Sequence, residues 1–290
     1  RDREYYTPDL SGRVFGKEGG ESRGGGECMR RYLAYTRQAF LAKSAFRFDN
    51  SMRIVDTCLK VFIFWCIYQA LYGGRNEIDG ITFEMVMTNF ILSIGLGSAF
   101  YLDEGYLPYR INNGSIGTEL LKPISFRGIL LASDLGNICF CLLFEFVPAI
   151  IVAVLSVGMN KPHSVEAFAA FLISVLLGFL VLWTLNFIFQ SLSFWLINIW
   201  SLQTIKNVFV NVLSGAMIPL WFMPDWMQGF IQFTPFSSIY FEPVKIYLGQ
   251  QTGIDILVSF IRQGCWIVVL AVIGELIWRR GIRRLVIQGG

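Results

Sequence analysis

The chain has 290 residues, 54% of them hydrophobic and only 16% charged, with a mean hydropathy of +0.53. Soluble domains carry about a quarter charged residues, so the composition excludes an ordinary soluble enzyme or binding module and places most of the chain in lipid. The net charge of +3 is modest, but its distribution is uneven.

Residues 1–28 read as a polar, Gly-rich cytoplasmic tail. Basic residues crowd the whole front of the chain: Arg1, Arg3, Arg13, Lys17, Arg23, Arg30, Arg31, Arg37, Lys43, Arg47 and Arg53 all precede the first apolar run. Acidic residues from Asp2 to Asp49 are interleaved with them, which argues against a nucleic-acid-binding arm. Residues 29–53 are expected to form an amphipathic helix on the cytoplasmic membrane surface. Met29, Tyr32, Leu33, Ala39 and Phe40 fall on one side, and Arg30, Arg31 and Arg37 on the other.

Residues 54–290 are expected to form a six-span, all-α transmembrane domain. The first apolar run, 54–72, has no small-residue cleavage site after it and is expected to remain as a span. A short external loop leads to the second span, 81–101. A polar cytosolic segment, 102–127, follows. The third span, 129–158, contains Asp134, Glu145 and Pro148. After an external turn at Lys161-Pro162-His163, residues 167–205 hold no Asp, Glu, Lys or Arg. This run is divided into a fourth span, 165–189, and a fifth, 199–220. The cytoplasmic turn is placed at the polar cluster of Gln190, Asn198, Gln203 and Lys206. The last span is 254–278.

The proposed outer loops contain only Arg75, Lys161 and Lys245 as basic residues, whereas Arg279, Arg280, Arg283 and Arg284 follow the last span. Both ends are therefore expected in the cytoplasm of a multi-pass protein of the cell membrane, a bacterial inner or plasma membrane.

The segment 214–250 is different. Its first part, "SGAMIPLWFMPDWMQGFIQFTPF", is apolar and aromatic but carries Pro219, Pro224, Pro235 and Asp225. No continuous helix tolerates that spacing. Broken backbone at membrane depth is tolerated where protein or a water-lined cavity covers it. The stretch is expected to be an outer re-entrant helical hairpin with Asp225 near its tip; the simpler alternative is an interfacial loop.

Three stretches carry a family resemblance. In 214–249, Gly215, Pro219, Pro224, Pro235 and Phe236 occupy the places of a Gly-x-x-x-Pro turn, a second Pro, an aromatic helix and a Pro-Phe. "GSIGTELLKPIS" at 114–125 has a Leu-Leu-basic-Pro core, and "WRRGIRRLVIQGG" ends the chain. In their order the three resemble membrane-spanning permeases of the type-2 ABC exporter family, from Met29 onward. The resemblance implies a permease dimer of identical or related subunits that forms the translocation path. It also implies a separate ATPase subunit, in which ATP and magnesium bind; no cofactor is expected in this chain. A permease driven this way must present a rigid cytosolic element to its ATPase. Glu119, Leu120, Leu121, Lys122 and Pro123 are the candidates. Leu120 and Leu121 fill an ATPase groove in that reading, Glu119 and Lys122 fix orientation, Ser115 or Thr118 caps the turn, and Pro123 stops it. A plainer role is anchoring the loop to the membrane surface.

Other chemistry is sparse. "GRVFGKE" at 12–18 is one residue short of a phosphate loop between its glycines, and Glu18 stands where Ser or Thr would hold magnesium. His163 is the single histidine, and the six cysteines form no metal-ligand spacing. No catalytic or metal site is expected. Asp134 and Glu145 are intramembrane carboxylates and functional candidates by default, with pairing to a neighbouring helix as the alternative. The rival class is a non-transport membrane protein acting as an assembly or signalling partner. The substrate is open among lipid, glycan, peptide and drug.

Overall fold

Helix termini in this chain are set by a few short-range devices. Thr82 Oγ1 accepts from the amide of Met85 (3.3 Å), Ser125 Oγ from that of Gly128 (3.2 Å) and Ser164 Oγ from that of Ala167 (3.0 Å). Each satisfies an amide that a helix start leaves orphaned. A computed structural model describes residues 24–75, 77–78, 80–156 and 159–284. The expected tail falls outside the described residues up to position 23, as does "GRVFGKE".

The described chain is almost wholly helical. Helix α1 spans Gly24–Ala45 and α2 Arg47–Tyr72. A two-residue antiparallel pair, β1 (Glu77–Ile78) and β2 (Ile81–Thr82), forms the turn to α3 (Phe83–Ala99). Two short helices follow, α4 (Tyr106–Asn112) and α5 (Ile116–Leu120). Then α6 (Phe126–Cys141) passes through a π-helical turn, Leu142–Phe146, into α7 (Val147–Ser156). Helix α8 is Val165–Ser191 and α9 is Trp200–Leu213. The broken region contains α10 (Asp225–Gln232) and α11 (Phe241–Tyr247), and α12 is Ile254–Ile282.

Among the described residues, four helices are long and apolar enough to cross a membrane: Phe48–Tyr72, Phe126–Leu155, Val165–Phe194 and Ile254–Ile282. The other two expected spans are shorter. Helix α3 has 17 residues and α9 has 14, against the ~20 that a crossing helix needs. The fifth expected span therefore ends seven residues early. Gly215 adopts φ +76, a left-handed conformation that turns the chain out of the helix.

The π turn has a sequence cause. Pro148 lacks the amide that would bond the carbonyl four residues back, and its ring crowds that carbonyl. A wide turn just before it accommodates both effects.

The expected surface helix differs from the structure in two ways. It ends at Ala45, and residues 47–53 begin α2. Helix α1 also lies against α6. A Cβ at Gly136 would strike the backbone carbonyl of Thr36, so only glycine permits this approach. Tyr32 joins Ser125 through their hydroxyls (3.0 Å), and the rings of Phe40 and Phe140 meet edge-on at 5.5 Å. The main core gathers α3, α6, α8, α11 and α12 around Phe100, Phe179, Tyr240 and Trp278. In lipid, close van der Waals packing of such side chains, and not their removal from water, holds the helices together.

Candidate functional site

The cytosolic insert is a braced structure. Glu119 is buried, and its Oε2 accepts from Lys122 Nζ at 2.7 Å. Arg110 on α4 lies 3.7 Å from the other carboxylate oxygen. Burial pulls the Lys122 ammonium down, but the hydrogen bond and charge of Glu119 outweigh it and leave Lys122 above its ordinary value. Glu119 and Lys122 thus tie α4 to α5 and the following turn. Leu121 is 85% exposed at the end of this braced unit, and Leu120 and Pro123 are exposed beside it. Neither expected cap forms: Ser115 Oγ donates to Asn113 Oδ1 (2.6 Å) and Thr118 Oγ1 to the Ser115 carbonyl (2.8 Å).

The insert is pinned to the helices it joins. Asn112 Nδ2 donates to the Ile197 carbonyl between α8 and α9 (2.9 Å). At the start of α6, Arg127 pairs with Glu275 of α12, and the Phe126 ring stacks on Trp278 at 5.5 Å.

The residues of the broken segment are spread along it. Gly215 follows α9. A Cβ there would stand 3.2 Å from the Phe241 ring and 3.3 Å from Leu220. Pro219 and Pro224 hold extended backbone, ψ 135 and 147, on either side of one 3₁₀ turn. Asp225 opens α10 and is exposed. The turn between α10 and α11 is Phe233–Tyr240 and contains Pro235 and Phe236. Tyr240 packs on Phe100, next to the Ala99 end of α3 (5.7 Å). From there α11 runs back to Tyr247, whose hydroxyl donates to the Asn160 carbonyl (3.0 Å) in the α7–α8 turn. Glu242 fixes α11 to α12: its Oε2 accepts from Ser259 and Gln251, both at 2.8 Å, and Arg262 lies 3.3 Å from Oε1.

A family model for ABC-2 family transporter proteins matches residues 54–289. The chain belongs to that family. With four helices of membrane-crossing length, this ABC-2 chain is a multi-pass membrane protein and a permease component of an ABC transporter. No curated protein matches it.

Beneath the Phe233–Tyr240 turn lies a polar cavity of about 290 Å³, bounded by α3, α8, α9 and the start of α2. Lys206 is buried in its wall and donates to Glu104 Oε1 (2.5 Å) and Asn186 Oδ1 (2.7 Å). Asn207 Nδ2 donates to Glu104 Oε2 (3.2 Å), and Gln203 Nε2 to the Glu104 carbonyl (2.6 Å). Lys206 and Gln203 therefore lie inside α9 and not in a cytoplasmic turn; of the expected turn residues, Asn198 alone lies in the loop between α8 and α9. Burial pushes the neighbouring Asp103 carboxyl above its ordinary range, against hydrogen bonds from the Gly105 and Tyr106 amides.

The two intramembrane carboxylates have different surroundings. Asp134 accepts from the Trp183 indole (3.0 Å) on α8, a structural pairing. Glu145 sits in the π turn, with Arg53 of α2 as its ion-pair partner. Arg53 and Lys43 both lie over the Tyr101 ring, 4.3 and 3.7 Å from its centroid. Nothing in the local sequence links Arg53 to Glu145 or Glu104 to Lys206; a charge inside an apolar run is the one visible signal for each.

Proposed function

We propose that this chain is the membrane-spanning subunit of an ATP-driven ABC exporter. Two such subunits form the translocation path, and a separate ATPase chain binds ATP and magnesium and supplies the energy. The observation that carries the reading is Leu121, 85% exposed at the end of an insert braced by Glu119, in a chain matched to the ABC-2 family over 54–289. An exposed leucine on a rigid cytosolic element suits a groove on a partner. The insert joins α1 through Ser125 and Tyr32, and α12 through Arg127 and Glu275. A push on it therefore reaches both helices.

The reading counts six crossings. Helices α3 and α9, about 26 and 21 Å long at 1.5 Å per residue, complete their crossings with the extended or turned backbone beside them. Residues 214–250 act as the outer re-entrant segment. Helices α10 and α11, about 12 and 10 Å long, are each too short to cross, and this supports a dip into the membrane and a return. Both chain ends lie in the cytoplasm.

The test is co-purification. The paired substitution Leu120→Asp and Leu121→Asp places carboxylates where an apolar partner groove would bury them, at a cost of several kcal/mol. The native-membrane complex of the unaltered chain is expected to contain a nucleotide-binding ATPase, and the variant is expected to insert normally but lose it. Retention of the ATPase and of substrate-stimulated hydrolysis by the variant would exclude the insert as the coupling element.

A further inference from the structure

The ends of α8 and α12 meet in a surface that is both apolar and strongly basic. A Cβ at Gly281 would strike the Phe194 ring, so the two helices stop at one level. Phe194 meets Trp278 edge-on, with ring centroids 5.4 Å apart, and the Arg284 guanidinium lies 6.0 Å from the Trp195 ring. Past that contact the chain exposes Trp195, Leu196 and Ile197, the last at 87%. The Ile197 carbonyl accepts from Asn112 on α4 (2.9 Å), which holds the loop in place.

Cations outnumber acids around this loop. Arg279 and Arg280 are exposed in the last turn of α12, and Arg283 and Arg284 directly after it. Glu275 is shared by Arg279 and Arg127, and Glu119 by Arg110 and Lys122. Asp103 and Glu104 face Lys43 and Lys206. Residues 167–205 and 276–290 hold no Asp or Glu. Among the described residues, Arg280, Arg283 and Arg284 therefore have no carboxylate partner.

Helix length sets the depth of this surface. Phe194 and Ile282 close apolar helices of 30 and 29 residues, about 45 and 43 Å long. A bilayer is about 30 Å thick in hydrocarbon and about 40–45 Å with its headgroups. A helix of that length that crosses once carries its end to the headgroup layer. A tryptophan ring is favoured there, because one side is apolar and its N–H is wet. An exposed isoleucine reaches the acyl chains, and a guanidinium binds a phosphate through two N–H groups at once. An apolar tip with a basic collar is the pattern of a segment that enters a negatively charged lipid surface.

We propose that the α8–α9 loop and the end of α12 form a seat for anionic phospholipid: Trp195 and Ile197 enter the acyl region, and Arg280, Arg283 and Arg284 hold the headgroups. The inference goes beyond the exporter reading and does not depend on it, because the seat concerns the lipid around these helix ends, whichever chain docks on the insert.

The experiment is native mass spectrometry of the purified chain in a non-ionic detergent. Dioleoylphosphatidylglycerol and dioleoylphosphatidylcholine, which share their acyl chains, are titrated separately. Tighter binding of the anionic lipid is expected. Each arginine near an anionic surface contributes about fivefold. The variant with Arg280→Gln, Arg283→Gln and Arg284→Gln should therefore lose on the order of a hundredfold in affinity for phosphatidylglycerol and keep its affinity for phosphatidylcholine. All three side chains are exposed, so the fold tolerates the change, and an unaltered melting curve verifies this. Lysine at the same three positions should restore the preference. Ile197→Ser should weaken both lipids alike, since it removes apolar contact and no charge. Equal affinity for the two lipids in the unaltered chain overturns the proposal. So does a preference that survives the triple glutamine variant, as binding at the arginines of α1 would give. Unchanged binding of both lipids by Ile197→Ser removes the loop from the seat and overturns it as drawn. If the triple variant keeps its lipid preference but loses the ATPase from the native-membrane complex, the surface is a protein dock and the proposal falls.

Discussion

Arg53 stands 3.8 Å from Glu145, near enough to balance its charge and too far to hydrogen-bond it. Glu145 is 1% exposed, and neither of its oxygens has a hydrogen-bond partner. The pair joins α2 to the π turn between α6 and α7, and a buried carboxylate in that position depends on its cation. Arg53→Met is expected to destabilise the protein by about 3 kcal/mol, the lower end for stranding a buried charge, because Arg53 is partly solvated. Adding Glu145→Gln should recover most of that loss. Melting curves of the two single variants and the double variant check this. Strictly additive losses would mean that the two residues do not interact.

The insert carries a pH signature. The Lys122 pKa in the folded state is raised above the ordinary 10.5 by Glu119, net of burial. A raised ammonium pKa contributes stability that is fully present below the unfolded value and is lost as pH rises through the folded one. The Lys122–Glu119 contribution should therefore be constant at neutral pH and fall only above about 10.5. Melting temperatures measured between pH 9 and 11.5 should drop more steeply for the unaltered chain than for Lys122→Met. Parallel curves would show that the contact contributes nothing.

Topology is checked by labelling single cysteines in a cysteine-free background. Positions 161 and 250 should react with an impermeant reagent from outside, and positions 118 and 283 only after the membrane is opened. The basic clusters predict this sidedness. Reaction of 118 from outside would reverse the orientation and remove the insert from the ATPase side.

The long helices were legible because their apolar runs exceed bilayer length, and little else in the chain competes with that signal. The prolines and Gly215 likewise announced the broken region. Less was visible where distant residues decide the outcome. Lys206 looks like a membrane exit in sequence, because a lone cation in an apolar run is costly. Its partner Glu104 lies in another connection, and only packing of α9 against α8 and the α3–α4 loop reveals that the charge is buried and paired. Glu119 reads as a surface residue of a short turn until Arg110 is brought over it by α4. The docking of α1 on α6 depends on Gly136 meeting Thr36, a backbone fit that hydropathy cannot register. The π turn did have a local signal, Pro148, which shows up as a widened turn and not as a break in the helix.

The turn at Gly215 gives the sharpest local test. Its φ of +76 costs most residues about 1–2 kcal/mol. A Cβ would also press on Phe241 at 3.2 Å and Leu220 at 3.3 Å, tighter than ordinary contact. Gly215→Ala should therefore lower stability by about 1–3 kcal/mol. Gly215→Leu should push the Leu220–Phe241 contact apart and move α11 away from α9. If 214–250 is the re-entrant segment, that displacement impairs transport more than assembly, because the insert and its pairs to α1 and α12 are remote from the turn. Transport in vesicles and co-purification of the ATPase separate the two effects. Asp225, exposed at the start of α10, should meanwhile react as a cysteine from outside only. Reaction from the cytoplasm alone would make the segment a full crossing and exclude a re-entrant path.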